Sequence, residues 1–226
     1  MPILPKAILF GAIGTLTETS DLQRRSFNAA FRDAGLQWHW GREAYAEMLR
    51  APGGKDRIAA YARKTGDTVD AARLHAAKVA YFAAYAEQDG LTLRSGVADV
   101  IALAKQSGVR LGFATTTGSD TVDLIFDNLQ GQVSREDFAF IGDRDLVTRS
   151  KPSPEIYRLA MSHLGLSASD AVAIEDTPES ARAAVDAGIP CVGFPGEAAR
   201  GRTFPTGVNH VADMLAPAHF GLRRAA

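Results

Sequence analysis

Cysteine is nearly absent from this chain of 226 residues, in which Cys191 is the single example. One cysteine cannot close an intramolecular disulfide, so a disulfide-stapled secreted domain is excluded. The sequence also lacks an apolar run of membrane-spanning length, and its first residues do not have the pattern of a signal peptide. From these absences we expect a cytoplasmic protein with no membrane partner.

Segments that carry charge of only one sign are lacking as well. The 25 lysines and arginines and the 26 aspartates and glutamates are interspersed, and the net charge is −1. Because nucleic-acid-binding proteins carry a basic patch or stripe, we expect no nucleic-acid partner. The five histidines show no metal-ligand spacing. With 46% apolar and 23% charged residues, the composition is that of an ordinary globular protein.

Short apolar runs alternate with helical segments over most of the chain. The runs that read as strands are residues 7–10, 109–114, 138–141, 171–174 and 190–194. Strands that alternate with helices of this length predict an α/β fold with a doubly wound, Rossmann-like parallel sheet. Residues 20–88 break the alternation, because their pattern is helical throughout. We therefore predict a core domain of residues 1–17 and 90–226, with a helical cap inserted at residues 18–89.

Polar groups follow the predicted strands at the edge where such folds bind ligands. They are the loop Gly11–Thr15, the hydroxyls at 115–117, Lys151, and the carboxylates Glu175 and Asp176. Hydroxyls, loop N–H groups and a lysine can hold phosphate oxygens, and carboxylates can hold Mg²⁺. The sequence therefore predicts a phosphate site with Thr115, Thr116 and Lys151, and a candidate metal site at Glu175 and Asp176.

Three motifs in this order resemble the haloacid dehalogenase superfamily. They are a threonine after a strand, Lys-Pro-x-Pro-Glu from residue 151, and Glu-Asp-Thr-Pro-Glu-Ser from residue 175. Segments 22–28, 38–40 and 53–58 are similar to the cap of the CbbY-type phosphatases, which are relatives of β-phosphoglucomutase. The resemblance covers nearly the whole chain and implies a Mg²⁺-dependent phosphatase that acts on a phosphorylated sugar.

The first loop departs from the pattern that this family shows. The resemblance implies Phe-Asp-x-Asp-Gly-Thr-Leu, but the chain has Gly11 and Ile13 at the two aspartate positions. In the family the first aspartate attacks phosphorus and binds Mg²⁺, and the second acts as acid and base. Neither glycine nor isoleucine can do this. We therefore expect Mg²⁺ binding to be weak or absent, with Asp176, Glu175 and the Ile13 carbonyl as the remaining ligands.

The segment before the predicted cap helices departs from the family in a second place. Ser20 stands where relatives usually have an acid, and Gln23 stands where they have a histidine. These changes leave the identity of the substrate open. The resemblance implies substrate contacts in or beside the cap at five positions, namely Glu18, Gln23, Gly54, Lys55 and Arg57.

Three functions remain open from the sequence alone. In the first, the protein binds a small phosphorylated metabolite and is catalytically impaired or inactive. In the second, it hydrolyses phosphomonoesters with Mg²⁺ and a relocated carboxylate, for which the candidates are Glu18, Asp21, Glu175 and Asp176. In the third, it is a scaffold or oligomer that uses the alanine-rich helix 71–87 for interaction. For the protein as such we expect a monomer or a homodimer.

Overall fold

The structure is a computed structural model that describes residues 4–51 and 53–223. The chain divides into two compact units, Met1–Glu18 with Thr92–Ala226, and Thr19–Leu91. We call the first the core unit and the second the cap unit. Each contains a cluster of buried apolar side chains of its own. In the sequence analysis we placed the boundaries of the cap after residue 17 and before residue 90.

The core unit is built on a parallel sheet of six strands in the order β3-β2-β1-β4-β5-β6. The strands are β1 (Ala7–Phe10), β2 (Arg110–Ala114), β3 (Phe140–Gly142), β4 (Ala171–Glu175), β5 (Cys191–Gly193) and β6 (Val208–Val211). Strand β1 lies at the centre and pairs with both β2 and β4. The chain adds strands on one side of β1 and then on the other, so the predicted doubly wound α/β fold is confirmed.

Helices flank this sheet and make up the cap unit. In chain order the α-helices are α1 (Ile13–Leu16), α2 (Ser20–Asp33), α3 (Arg42–Met48), α4 (Gly54–Thr65), α5 (Ala71–Asp89), α6 (Val97–Gln106), α7 (Ser119–Asn128), α8 (Glu155–Leu164) and α9 (Pro178–Asp186). In the part of the chain that the structure describes, none of them combines the length and apolar character of a membrane span.

The start of α9 shows how the sequence directs one of these helices. The Thr177 side chain accepts a hydrogen bond from the Ser180 backbone N–H at 3.2 Å, and Pro178 occupies the first turn. A threonine cap satisfies an N–H group that has no partner inside the helix, and proline has no N–H to satisfy at that position. Thr177 and Pro178 therefore fix the start of α9 directly after β4.

Two local features differ from the sequence analysis. Strand β6 was not predicted, because the segment Val-Asn-His-Val is half polar and lies exposed along the sheet edge. Residues 11–15 were predicted as a loop, but only the first two precede a helix: Ala12 is extended, and α1 begins at Ile13. As a result the Ile13 carbonyl accepts a hydrogen bond from the Thr17 backbone N–H at 2.9 Å.

The cap unit is organised around an aromatic cluster. The Trp40 ring is almost completely buried and packs against Phe27 and Phe31, with ring centroids 4.8 and 4.7 Å apart. The Asn28 side chain donates to the Trp40 carbonyl at 3.0 Å and accepts from the Trp40 N–H at 2.8 Å. The Trp38 indole N–H donates to Asp67. Both tryptophans of the chain thus have packing roles within the cap unit.

Lys78 on α5 is a buried cation in the cap unit. Only 5% of its surface is exposed, its ammonium donates to the Gln23 side-chain oxygen, and the rings of Phe27 and Phe82 lie 5.2 and 5.0 Å away. Burial first, and the nearby charge of Arg57 second, lower the pKa of Lys78 from 10.5 to about 7. Because burial penalises a charged amine, this lysine makes the folded state less stable at pH values where its amine is protonated.

This pKa predicts how stability depends on pH. Between pH 7 and 10.5 the unfolded chain holds the Lys78 proton and the folded chain releases it, so the free energy of unfolding should rise with pH. The slope from this residue is at most about 1.4 kcal/mol per pH unit. Urea unfolding followed by Trp38 and Trp40 fluorescence should show the rise in the native chain and a smaller one in Lys78→Met. The exposed control Lys64→Met should keep the native slope; equal slopes for all three would contradict the prediction.

Candidate functional site

The candidate site lies at the carboxyl ends of β1 and β4, where the order of the strands in the sheet reverses. The two strands are in register with Phe10 opposite Ile174. The Gly11 N–H donates to the Ile174 carbonyl at 2.9 Å, which joins the first loop to the end of β4. In open parallel sheets ligands bind in the crevice at such a switch point. The pair Glu175–Asp176 therefore sits beside the loop Gly11–Thr15, as the sequence predicted.

A buried network of charged and polar groups occupies this position. The Lys151 ammonium donates to the Gly11 carbonyl and, at 2.5 Å, to Glu175 Oε1. The Tyr157 hydroxyl on α8 donates to the same carboxylate oxygen at 2.6 Å. Glu175 and Tyr157 are completely buried and Lys151 is 6% exposed. A buried charge is tolerated only when it is paired, so each group here depends on the other two.

The absence of a side chain at Gly11 makes this network possible. A Cβ atom built onto Gly11 would overlap the Tyr157 hydroxyl and the carboxylate of Glu175. The space that a first-loop side chain would use is thus filled by Glu175 and Tyr157. Any larger residue at position 11 would force these two side chains to move.

Asp176, the second carboxylate of the pair, approaches the same loop at another point. A Cβ atom built onto Gly14 would overlap Asp176 Oδ2, so the loop backbone and this carboxylate are in close contact. Burial first, and the charge of Glu175 second, raise the pKa of Asp176 to about 7, against the opposing effect of Lys151. The Asp176 carboxyl is therefore only partly ionised near neutral pH, in contrast to an exposed aspartate.

The predicted hydroxyl cluster lies at the end of β2. Thr115 is 2% exposed, and its Oγ1 accepts a hydrogen bond from the Thr117 N–H at 3.1 Å. The same hydroxyl donates to Thr117 Oγ1, also at 3.1 Å. Thr116 is partly exposed. This turn leaves hydroxyl groups at the same sheet edge as Lys151, which is the arrangement that the phosphate prediction requires.

Arg94 fixes the backbone around the site. Its guanidinium donates to the Gly14 carbonyl at 2.5 Å and to the carbonyls of Phe194 and Pro195 at 3.0 and 2.7 Å. The guanidinium carbon also lies 3.4 Å from the centroid of the Phe194 ring. A planar guanidinium can bind three carbonyls and stack on a ring at once, which an ammonium cannot do. Arg94 thereby ties the first loop to the segment after β5.

We expect Arg94→Lys to destabilise the core unit by about 2 kcal/mol, because charged hydrogen bonds to carbonyls are lost. The variant keeps the positive charge, so the loss of stability measures what the planar shape of the guanidinium contributes. Urea unfolding of the variant measures it, with the exposed Arg200→Lys as the control that should stay within about 0.5 kcal/mol of the native chain. Equal stability of Arg94→Lys and the native chain would show that these contacts are dispensable.

Three of the five residues predicted to contact substrate have hydrogen-bond partners within their own units. In the core unit, Glu18 Oε2 accepts from the Glu197 N–H at 2.7 Å. In the cap unit, Gln23 accepts from Lys78, and Arg57 donates to the Met48 and Ala51 carbonyls at 3.1 and 2.9 Å. Gly54 begins α4 at a place where an added Cβ would lie 2.6 Å from His75 Nε2, and Lys55 is exposed. Their roles toward a substrate remain predictions.

The residues at the predicted metal position do not fit Mg²⁺ well. Gly11 offers no side-chain oxygen, Glu175 Oε1 is bound by Lys151 and Tyr157, and Oε2 is buried without a hydrogen-bond partner. The remaining oxygens are the carboxylate of Asp176 and the Ile13 carbonyl, which already accepts one hydrogen bond from the Thr17 N–H. Within residues 4–51 and 53–223, no cluster of three or more His, Cys, Asp or Glu side chains could hold a metal. Mg²⁺ requires near-octahedral oxygen ligation and keeps several waters, so one carboxylate and one carbonyl make a poor site.

Comparison with known proteins identifies the family of this chain. The haloacid dehalogenase-like hydrolase family matches residues 5–188. The chain belongs to this family. Protein CbbY from Cereibacter sphaeroides is 42% identical over 214 residues, which cover 93% of each chain. The haloacid dehalogenase-like assignment thus holds across both units, including the cap.

Two solved structures of CbbY from Rhodobacter sphaeroides are similar to this chain. Each has a TM-score of 0.85 at 40% identity and covers 93% of this chain and 95% of the other. One is a complex with phosphate. The other is an Asp-to-Asn mutant in complex with xylulose-(1,5)bisphosphate. The resemblance to CbbY-type members of the family, noted from the motifs, is therefore confirmed.

Sequence reasoning missed two residues that shape this site. Tyr157 lies on the buried face of α8, where its aromatic ring reads as core packing and its hydroxyl gives no separate signal. Arg94 lies in the core unit, close to the start of its second segment at Thr92, and outside any motif that we recognised. Both act through contacts with residues far away along the chain. A single sequence carries no signal of such contacts.

Proposed function

We propose that this member of the haloacid dehalogenase-like family binds a small phosphorylated metabolite and has little or no phosphatase activity of its own. The observation that carries the proposal is at the first loop. There Gly11 and Ile13 offer no nucleophile and no acid, and Glu175 fills the space beside Gly11. The neighbouring groups that would hold a phosphate, Thr115 and Lys151, are retained at the same sheet edge.

The binding part of the proposal rests on donors that can face an anion. Lys151 has three N–H donors, and two of them are used by Gly11 and Glu175, which leaves one for a phosphate oxygen. The partly exposed Thr116 hydroxyl supplies a further donor. The Thr115 hydroxyl supplies another when it turns from Thr117 Oγ1 to the phosphate, because a hydroxyl has a single O–H to donate. The CbbY complexes with phosphate and with a sugar bisphosphate support this class of ligand. We assign the phosphate site to the core unit, with the predicted cap of residues 18–89 as an inserted domain.

The catalytic part of the proposal rests on chemistry that is missing. Without a carboxylate at positions 11 and 13 there is no covalent phosphoryl intermediate and no acid for the leaving oxygen. Three relocated candidates are already occupied by other groups. Glu18 accepts from the Glu197 N–H, Asp21 is paired with Arg24 and Arg42, and Glu175 is bound within the buried network. Asp176 is the one carboxylate that an activity assay must still test.

Calorimetric titration of the native chain with inorganic phosphate, simple phosphomonoesters and xylulose 1,5-bisphosphate tests the proposal. We expect saturable binding of at least one phosphate ester. Thr115→Val should weaken that binding at least about tenfold, because a hydrogen bond to a charged oxygen is lost. The exposed Thr203→Val is the matched control and should bind as the native chain does.

The same samples are assayed for phosphate release, with Asp176→Asn as the comparison. Absence of binding across the panel would reject the binding function and favour the scaffold alternative. Release of phosphate by the native chain that disappears in Asp176→Asn would instead favour the hydrolase with a relocated carboxylate.

A further inference from the structure

The charges at the candidate site are balanced by the protein itself. Lys151 brings a positive charge to the end of β1, where it contacts a backbone carbonyl and a carboxylate. Carbonyl and carboxylate oxygens are also the ligands that hard divalent cations prefer. The ammonium thus has the ligands that a metal ion would use, and its Nζ atom lies 4.7 Å from the Tyr157 ring centroid.

We propose that the Lys151 ammonium, held between the Gly11 carbonyl and the Glu175 carboxylate, is the resident cation of this site, so that the protein takes up a phosphate group without Mg²⁺. The part of this inference that concerns phosphate uptake rests on the function proposed above. The part that concerns the absence of Mg²⁺ rests on the observed contacts alone. Mg²⁺ is what the family resemblance implies, and the donor set at Gly11, Glu175 and Asp176 disagrees with it.

The unpartnered oxygen of Glu175 does not restore a metal site. Glu175 Oε2 is closed to solvent, and the whole residue has no exposed surface. Mg²⁺ gives up its water reluctantly and would have to reach this oxygen through buried protein. It would also have to separate Glu175 from Lys151 and Tyr157, both of which already bind the other carboxylate oxygen. Lys151 therefore compensates the charge of Glu175 in the metal-free protein.

Metal binding by the native chain is the first test. Electron paramagnetic resonance of added Mn²⁺ should show the signal of the free ion at every protein concentration. The melting temperature should be the same in excess EDTA and in millimolar Mg²⁺. A saturable loss of the free Mn²⁺ signal, or a saturable rise of the melting temperature with Mg²⁺, would overturn the proposal.

Phosphate uptake is the second test and uses the same two buffers. The phosphate ester that binds should raise the melting temperature equally in EDTA and in Mg²⁺, by several degrees at about one hundred times its Kd. If the ester raises the melting temperature in the Mg²⁺ buffer and not in EDTA, the inference is overturned and the proposed function stays intact. Absence of a rise in either buffer would overturn the proposed function and the phosphate part of the inference, while Mn²⁺ resonance still decides the metal part.

Lys151→Met removes the resident cation and gives a third test. We expect a lower melting temperature than that of the native chain, together with a new rise on addition of Mg²⁺, because Glu175 is left without a counter-charge. The matched control is Lys105→Met, which removes a half-exposed lysine paired with Asp137 and should show no response to Mg²⁺. A folded Lys151→Met that ignores Mg²⁺ would overturn the proposal. If this variant does not fold, the measurements on the native chain decide.

Discussion

The variant Gly11→Asp/Ile13→Asp is expected to hydrolyse phosphomonoesters in the presence of Mg²⁺, whereas the native chain releases no phosphate. The first substitution supplies a nucleophile and a metal ligand, and the second supplies a general acid and base. Acid–base help alone is worth about 10²- to 10⁴-fold in rate. The single variant Gly11→Asp should therefore be slower than the double variant by about that factor. Release of inorganic phosphate from the ester that binds measures both.

The contacts at Gly11 add a structural condition to this result. A new Cβ atom overlaps the Tyr157 hydroxyl and the Glu175 carboxylate, so the double variant must displace both side chains before its own carboxylate can reach a substrate. We expect the further change Tyr157→Phe to increase turnover, because it removes the overlapping oxygen and one hydrogen bond that holds Glu175 in place.

The control for this experiment keeps the size of the new side chains. Gly11→Asn/Ile13→Asn introduces amides of nearly the same shape that can neither attack phosphorus nor donate a proton as a carboxylic acid does. This control should release no phosphate from any ester that the aspartate variant hydrolyses. If the native chain already turns over at the rate of the aspartate variant, the proposed loss of catalysis is wrong.

The largest effect on stability is expected from Glu175→Leu. This change leaves the Lys151 ammonium buried without its carboxylate and deprives the Tyr157 hydroxyl of its acceptor. Removing one partner of a buried ion pair typically costs about 3–5 kcal/mol. Urea unfolding of the core unit, followed by far-ultraviolet circular dichroism, measures the loss.

A double-mutant cycle separates the ion pair from general disruption of the core. Lys151→Met/Glu175→Leu removes both charges, and we expect it to recover most of the stability that Glu175→Leu loses, because apolar pairs often replace buried ion pairs without cost. The surface pair Lys105–Asp137 is the comparison, where Lys105→Met should cost about 1 kcal/mol or less. Additive losses for Lys151 and Glu175 would show that the two side chains do not depend on each other.

The alternation of strands and helices could be predicted because both faces of a parallel sheet are covered. Strands such as β1 and β4 then consist almost entirely of apolar residues, and a short apolar run is visible in any sequence. Strand β6 lies at the exposed edge, so its residues are under no such constraint. The same physical reason explains the success with the central strands and the failure at the edge.

The site could be predicted as a set of residues but not as a set of contacts. Motif order placed Thr115, Lys151 and Asp176 at one sheet edge, since the carboxyl ends of parallel strands lie together. Which partner each side chain takes depends on the space left by its neighbours. Glu175 and Lys151 pair where Gly11 has no side chain, and the hydroxyl of Tyr157 completes the pair. Contacts of this kind follow from three-dimensional packing, which no local pattern encodes.

The central position of β1 also affects the order in which the protein can form during synthesis. Ala7 of β1 pairs with Arg110 of β2 and with Ala171 of β4, so its partners leave the ribosome more than 100 residues later. At about 5–20 residues per second, β1 waits roughly 5–20 s for its first partner. The cap unit is continuous in sequence and has its own aromatic core, so it can fold during that interval. The nascent chain therefore carries a finished helical domain next to an unpaired apolar strand, which is the stage at which a chaperone would be needed.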